Sequence, residues 1–259
     1  MANKLNYAIV VPSLNRPKNM KHLLSLFPDA YVTVNKSGID IYRKVVPKKQ
    51  LISHPDMPLI ETRNWILDNF QEDCVIQFND DIQKLVKFGN TTKTIRNPDI
   101  IRGVIINTMQ CARDLDVSVF CWSVTAKASM IFPQIRPFRS NAPCSSHAFG
   151  VCGAARDRRF NPTFRARGDY DYTLETLLHD RLLLCDVRFS FDCGGMSRGG
   201  GGQSGTLTGE QIDKGEAALR KKWGKFVGES SVKSVSKSKK KTWKSFSFNV
   251  QRINPRAAT

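Results

Sequence analysis

Near the N-terminus the hydrophobic positions switch repeatedly between two periods. Tyr7-Ala-Ile-Val-Val11 is a short apolar, β-branched run closed by Pro12 and Ser13, the pattern of a central strand buried on both faces. From Pro17 to Phe27 the apolar residues Leu23, Leu24 and Phe27 take helical spacing. Ala30 to Val34 predicts the next strand, ended by the turn Lys36-Ser37-Gly38. Leu59 to Phe70 predicts a helix through Ile60, Ile66, Leu67 and Phe70, and Cys74 to Phe78 a further short strand running into the acidic pair Asp80-Asp81. Alternation of this kind indicates an α/β sheet that presents ligand-binding loops at the carboxyl ends of its strands.

Further along, Asn97-Pro98-Asp99 combines a cap, a first-turn proline and an early acid, and predicts a helix to about Asp114. Val117 to Trp122 follows as a strand. Lys127 to Ser146 is Pro-rich and without period, so loops around short strands are expected there. Phe149 to Ala155 predicts a strand, Tyr172 to His179 a helix, and Leu182 to Phe191 a strand pair or one bent strand. The stretch Gly194 to Gly205 is too glycine-rich for a fixed core element. Thr208 to Gln211 matches a capping box, opening a helix that reaches about Trp223. Past Gly228 serines and lysines take over. The reading is therefore a main domain over residues 1–228 and a basic C-terminal extension over 229–259.

Charge narrows the class of partner. The 259 residues include 40 Lys and Arg against 23 Asp and Glu, a formal net charge of +17, so the field attracts polyanions, nucleic acid first among them. A membrane is not expected: no continuous apolar span is long enough to cross a bilayer, and the run at Tyr7 is too short for a signal peptide. The expected location is the cytoplasm. The seven cysteines form no Cys-x-x-Cys pair and sit mostly among apolar neighbours, so they read as reduced core residues rather than a disulfide framework or a zinc site.

Four constellations carry candidate chemistry. Gln77-Phe-Asn-Asp-Asp81 ends a buried strand, where carboxylates hold Mg²⁺ or Mn²⁺ while water and a substrate phosphate fill the remaining positions. The alternative is a solvated turn or helix cap. Pro12, Ser13, Asn15 and Arg16 open the loop after the first strand, and Arg16 and Arg63 are candidate phosphate clamps. In Arg167-Gly-Asp-Tyr-Asp171 two acids stand near a helix start, where one carboxylate takes the proton of an acceptor hydroxyl. Being two residues apart, Asp169 and Asp171 cannot serve alike; Asp169 is the preferred base, and one of the two is expected to cap the helix. Arg198, within the glycine-rich stretch, is placed to fold over a diphosphate, unless that stretch is a simple linker.

In this order the motifs resemble those of the GT-A glycosyltransferases, and more narrowly the TET-associated glycosyltransferases of bacteriophages. The resemblance covers roughly Tyr7 to Trp223. It implies a GT-A (Rossmann-like) mixed, mainly parallel sheet flanked by helices, a UDP-sugar donor, Mn²⁺ or Mg²⁺ held by Asp81, and Asp80 or Asn79 facing the ribose or sugar. It also implies inverting transfer to hydroxymethylated pyrimidines in phage DNA, inside the host bacterial cytoplasm. Gly168 departs from it, standing where many relatives have Glu. Such an acceptor suits Arg156, Arg158, Arg159 and Arg165 and a tail in which Lys239, Lys240 and Lys241 meet phosphates while Trp243 stacks on a base. Two rivals stay open: a nucleotidyltransferase built on a similar sheet, and a non-catalytic nucleic-acid-binding protein.

Overall fold

The structure is a computed structural model that describes residues 6–89, 91–123, 136–140, 144, 147–165, 167–193, 209–233 and 244–248. Its strands are β1 (Tyr7–Ser13), β2 (Tyr31–Asn35), β3 (Leu51–His54), β4 (Cys74–Phe78), β5 (Lys84–Lys87), β6 (Lys93–Ile95), β7 (Val119–Trp122), β8 (Phe138–Arg139), β9 (Ala148–Cys152), β10 (Leu184–Asp186), β11 (Phe189–Asp192), β12 (Val227–Lys233) and β13 (Lys244–Phe248). The α-helices are α1 (Pro17–Leu26), α2 (Ile39–Tyr42), α3 (Leu59–Asn69), α4 (Pro98–Asp114), α5 (Gly168–Asp180) and α6 (Gly209–Trp223).

Eight strands form one sheet in the order β3-β2-β1-β4-β9-β7-β10-β8. Pairings among β1, β2, β3 and β4, and between β7 and β10, are parallel, whereas β9 runs antiparallel to both β4 and β7. This is the α/β sheet that the alternation of periods predicts, in the mixed, mainly parallel form flanked by helices that the resemblance implies. Strand alternation divides the core into two layers. On one face Ile9, Val11, Ile76 and Phe120 pack with Leu23 of α1 and Ile105 of α4; on the other Ala8, Val10, Val75 and Val151 pack with Ile66 of α3 and Leu177 of α5. A small sheet, β11-β5-β6, adds Leu85 and Phe191 to the first layer.

Local signals account for most of this. Asn97 accepts hydrogen bonds from the Asp99 and Ile100 amides and starts α4, a cap whose removal costs about 1 kcal/mol. Gly150 lies opposite Phe120 across β9 and β7, and any side chain there would run into that ring. Other features depart from expectation. α2, β3, β5 and β6 escape the periodicity because each is only three or four residues long. α5 starts at Gly168 rather than Tyr172, and neither Asp169 nor Asp171 caps it, since Arg167 holds the N-cap position. β12 and β13 pair antiparallel, so the tail begins as a two-stranded ribbon and Gly228 lies within a strand. Thr208, the expected cap of α6, lies outside the described residues.

One expectation about the cysteines is corrected. Cys74 and Cys152 are joined as a disulfide, and Cys111, Cys144, Cys185 and Cys193 are thiols outside it. They face each other across β4 and β9, 4.3 Å apart at Cα, in a pair whose amides bond outward to Asn6 and Ser118. Register brings together residues 78 apart in sequence, a relation that local cysteine spacing does not carry. Among the described residues no helix is long and apolar enough to cross a membrane.

Candidate functional site

β1 and β4 lie side by side in parallel, with Val10 opposite Gln77. Carrying that register three residues on places Ser13 opposite Asp80. The Ser13 hydroxyl accordingly donates to Asp80 Oδ2 at 2.7 Å, and Arg16 Nη1 donates to Asp80 Oδ1 at 2.9 Å. Because Ser13 has spent its proton, the Tyr42 hydroxyl, 2.8 Å away, donates to Ser13 and in turn accepts from the Arg16 amide. Asn19 holds the Asp80 carbonyl. Burial pushes the Asp80 carboxyl up from its ordinary value, against the opposing pull of Ser13 and Arg16. Burial also lowers Arg16, yet its pairs with Asp80 and Asp81 outweigh this and leave the guanidinium pKa raised. Both carboxylate oxygens of Asp80 are thus engaged within the chain.

Asp81 differs. Its Oδ2 receives Arg16 at 3.2 Å, but Oδ1 is buried and has no hydrogen-bond partner among the described residues. Beside it come Asp192 and Cys193 from the end of β11; burial, then the Asp81 charge and the thiol's own weak hydrogen bond to that carboxylate, push the Cys193 thiol up. Lys84 pairs with Asp192 at 3.4 Å. A buried carboxylate oxygen without a donor is costly unless something outside the chain completes it. A hard divalent cation does so. Among the described residues no group of three or more His, Cys, Asp or Glu side chains forms a ready cage, so such a cation would take Asp81 from the protein and draw the rest from water and a diphosphate.

Asn79 joins the acidic turn to the far side of the site. Its amide donates to the His147 carbonyl, continuing the β4–β9 ladder, and its side chain lies 3.4 Å from His147 Nδ1. Burial lowers the His147 pKa, while Asp81, Asp169 and Asp192 act the other way. Arg63 Nη2 donates to Asn79 Oδ1 at 3.2 Å, and its guanidinium lies 4.9 Å from the Phe149 ring centroid and 5.7 Å from that of Phe160. Burial brings this arginine down to about 10, with Asp169 opposing. Asp169 stands in the first turn of α5, which approaches α3 closely: a Cβ on Gly168 would lie 2.5 Å from Ile60 Cδ1. Burial pushes the Asp169 carboxyl up, and the Arg167 and Arg63 charges restrain it.

The predicted residues therefore divide. Ser13, Arg16, Asn79, Asp80 and Asp81 come together, and Asp169 shares their electrostatic surroundings through Arg63 and His147. Pro12 is buried within β1, and Asn15 is exposed with a φ of 56°. Arg63, expected at a phosphate, is only 5% exposed and sits beneath the Asn79 turn. Asp171, the alternative base, is 2% exposed and accepts hydrogen bonds from Lys222 and Trp223.

Three arginines expected to face DNA are engaged internally. Arg156 donates to the carbonyls of Leu67, Phe70 and Glu72, Arg158 forms a two-pronged pair with Asp180, and Arg159 pairs with Asp68. Arg165 is exposed. Arg198, Lys239, Lys240, Lys241 and Trp243 lie outside the described residues. Sequence reasoning missed Tyr42, His147 and Asp192. Asp192 had a visible signal, as an acid directly after the predicted strand pair Leu182 to Phe191, and His147 a weaker one, two residues before the predicted strand Phe149 to Ala155.

No protein-family model matches the chain, and no curated protein sequence matches it. Solved structures are similar at low identity. S. aureus TarS (residues 1–349) aligns at 13% identity and a TM-score of 0.46 over 70% of this chain, which spans only 58% of the TarS chain. Glucosyl-3-phosphoglycerate synthase from Mycobacterium tuberculosis, in complex with Mn²⁺, UDP-glucose and phosphoglyceric acid, aligns at 12% identity and a TM-score of 0.48, covering 86% of this chain and 83% of that one. The inositol-1-phosphate CTP transferase from T. maritima aligns at 10% identity and a TM-score of 0.42, covering 83% and 96%.

Proposed function

We propose that this protein is a metal-dependent, inverting glycosyltransferase that moves a sugar from a UDP-sugar to a hydroxymethyl group on a pyrimidine base of DNA. The observation that carries the reading is the asymmetry of the acidic turn. Asp80 is fully engaged by Ser13 and Arg16, whereas Asp81 keeps a buried oxygen for a partner from outside the chain. Mn²⁺ or Mg²⁺ bound there supplies charge neutralisation for a departing diphosphate. Asp169 is the base: it takes the proton as the acceptor oxygen bonds to the anomeric carbon and the bond to the UDP oxygen breaks. One displacement with one carboxylate inverts the configuration. Asn79, fixed by Arg63, lines the turn between the two acids and faces the sugar or ribose.

The DNA acceptor rests on the formal charge of +17, the lysine-rich extension over 229–259 and the resemblance of the motif order. With Arg156, Arg158 and Arg159 committed to carbonyls and carboxylates, the lysine-rich extension carries the phosphate contacts. The test is incubation with a panel of UDP-sugars, Mn²⁺ and either hydroxymethylated or unmodified DNA, read by nucleoside mass spectrometry. A sugar mass appearing only on hydroxymethylated DNA is expected. UDP release that no DNA stimulates would remove the acceptor assignment, and no release from any donor would remove the transferase.

A further inference from the structure

α6 reaches α5 at two points placed symmetrically about Asp169. Arg167, two residues before it, gives Nη2 to Glu216 Oε1 at 2.7 Å, with both side chains largely buried at 13% and 15% exposure. Asp171, two residues after it, accepts Lys222 Nζ at 2.7 Å and Trp223 Nε1 at 2.8 Å on one oxygen. Lys222 also reaches Glu175 one turn along α5. Glu216, Leu219 and Trp223 share one helical face, and Leu219 and Trp223 pack with Phe164 and Leu174. Arg167 itself is left-handed, with φ 91° and ψ 16°, and the amides of Tyr170 and Asp171 bond back to its carbonyl. A non-glycine residue held there is strained and persists only where its surroundings over-determine it. Here the surroundings include a partly buried ion pair from another helix.

We infer that α6 is a brace for the base, with Glu216 and Trp223 as positioning residues that fix the turn carrying Asp169. The inference rests on Asp169 being the base. A carboxylate displaced by about 1 Å from an acceptor hydroxyl loses on the order of 100-fold in rate, so a helix touching no substrate sets kcat. Glu216 has a second effect, through charge. The groups facing Asp169 are Arg167 and Tyr170 on its own turn, Arg63 from α3, His147 before β9, and Cys144. Arg167 is the foremost of the charges that favour the ionised carboxylate. Glu216 now shares the Arg167 charge, so neutralising Glu216 leaves more of it to Asp169.

The test uses the full chain with Glu216→Gln and Trp223→Phe. Expected are a fall in kcat of about 10–100-fold for each with the donor KM unchanged, and an acid limb of the kcat profile moved to lower pH in Glu216→Gln alone. Carbon-13 carboxyl NMR, with the Asp169 signal assigned by its loss in Asp169→Asn, follows the same titration without any transfer assay. A downward shift in Glu216→Gln supports the brace even if wild type transfers nothing, which would instead refute the transferase reading. An unmoved Asp169 titration, or a kcat loss matched by the unfolded fraction in thermal melts, overturns it.

Discussion

The acidic turn after β4 and the arginine-bearing segment after β9 belong to adjacent strands, yet they do opposite things. Asp80 and Asp81 end at the open edge of the sheet and leave an oxygen unspent. Arg156, Arg158 and Arg159 are absorbed by the fold. Direction explains the contrast. β9 is antiparallel to β4, with Ala148 opposite Phe78 and Cys152 opposite Cys74, so the chain leaving β9 emerges at the other end of the sheet. There Arg156 ties down the carbonyls that close α3 and lead into β4. What a charge meets in this molecule is decided by the edge at which its strand ends, not by its density in sequence.

The sharpest way to break that contrast is Asp81→Asn. Because Oδ1 has no partner to lose and the asparagine oxygen still accepts from Arg16, folding stability should change little, by less than about 1 kcal/mol, while transfer falls by about 100- to 1,000-fold. Calorimetric titration with UDP and Mn²⁺ should show the cation dependence of nucleotide binding disappear. A variant that melts early and still transfers would make Asp81 a structural residue like Asp80.

Next in size is the acid limb of the reaction. A base works only when ionised, and burial holds the Asp169 carboxyl above its ordinary value. Sugar transfer should therefore decline tenfold per pH unit as pH falls through that raised value, well before an exposed carboxylate would protonate. A rate profile with its acid limb at or below the ordinary carboxylate range would show that Asp169 is not the base.

These two residues also show what was legible beforehand. The place of Asp81 could be read because a buried apolar strand running into acids puts them at the edge of the sheet. The place of Asp169 could be read in part: it stands at the start of a helix pattern, although α5 takes it into its first turn. Arg16 could be read from the loop after the first strand, but the partners of the other arginines could not, since a long cation finds its partner through tertiary contact: Arg63, a candidate phosphate clamp in sequence, lies under Asn79 beside two phenylalanine rings. Tyr42 was hidden for a related reason. It ends a four-residue helix too short for a period, and becomes part of the site only when β1 and β4 align Ser13 with Asp80. The cross-strand cysteines follow the same rule of register.

The arginine side of the comparison predicts a thermodynamic effect in place of a catalytic one. Arg158 makes two bonds to Asp180 and one to Thr176, with its side chain 16% exposed. Arg158→Met should cost about 1–2 kcal/mol in chemical denaturation, since Asp180 is left partly buried and unpaired. DNA affinity, and its salt dependence, should be unchanged. A reduced salt slope with unaltered stability would return this arginine to the DNA surface.

The smallest effect concerns His54 at the end of β3, on the same edge but away from both acids. Its ring is buried against Trp65, with centroids 5.3 Å apart, and Nδ1 lies 2.8 Å from the Pro55 carbonyl. Burial lowers its pKa below the ordinary 6.5, against the pull of Pro55 and Asp56. A histidine that resists protonation when folded binds its proton more readily when unfolded. Its contribution is then complete above about pH 6.5 and is lost as pH falls from there through the lowered folded value. His54→Gln, which can still donate to Pro55, should flatten the stability profile in that window and leave it unchanged at pH 8. Denaturation midpoints at pH 5, 6 and 8 for both proteins decide it, and parallel profiles would mean that the ring titrates alike in the folded and unfolded chain.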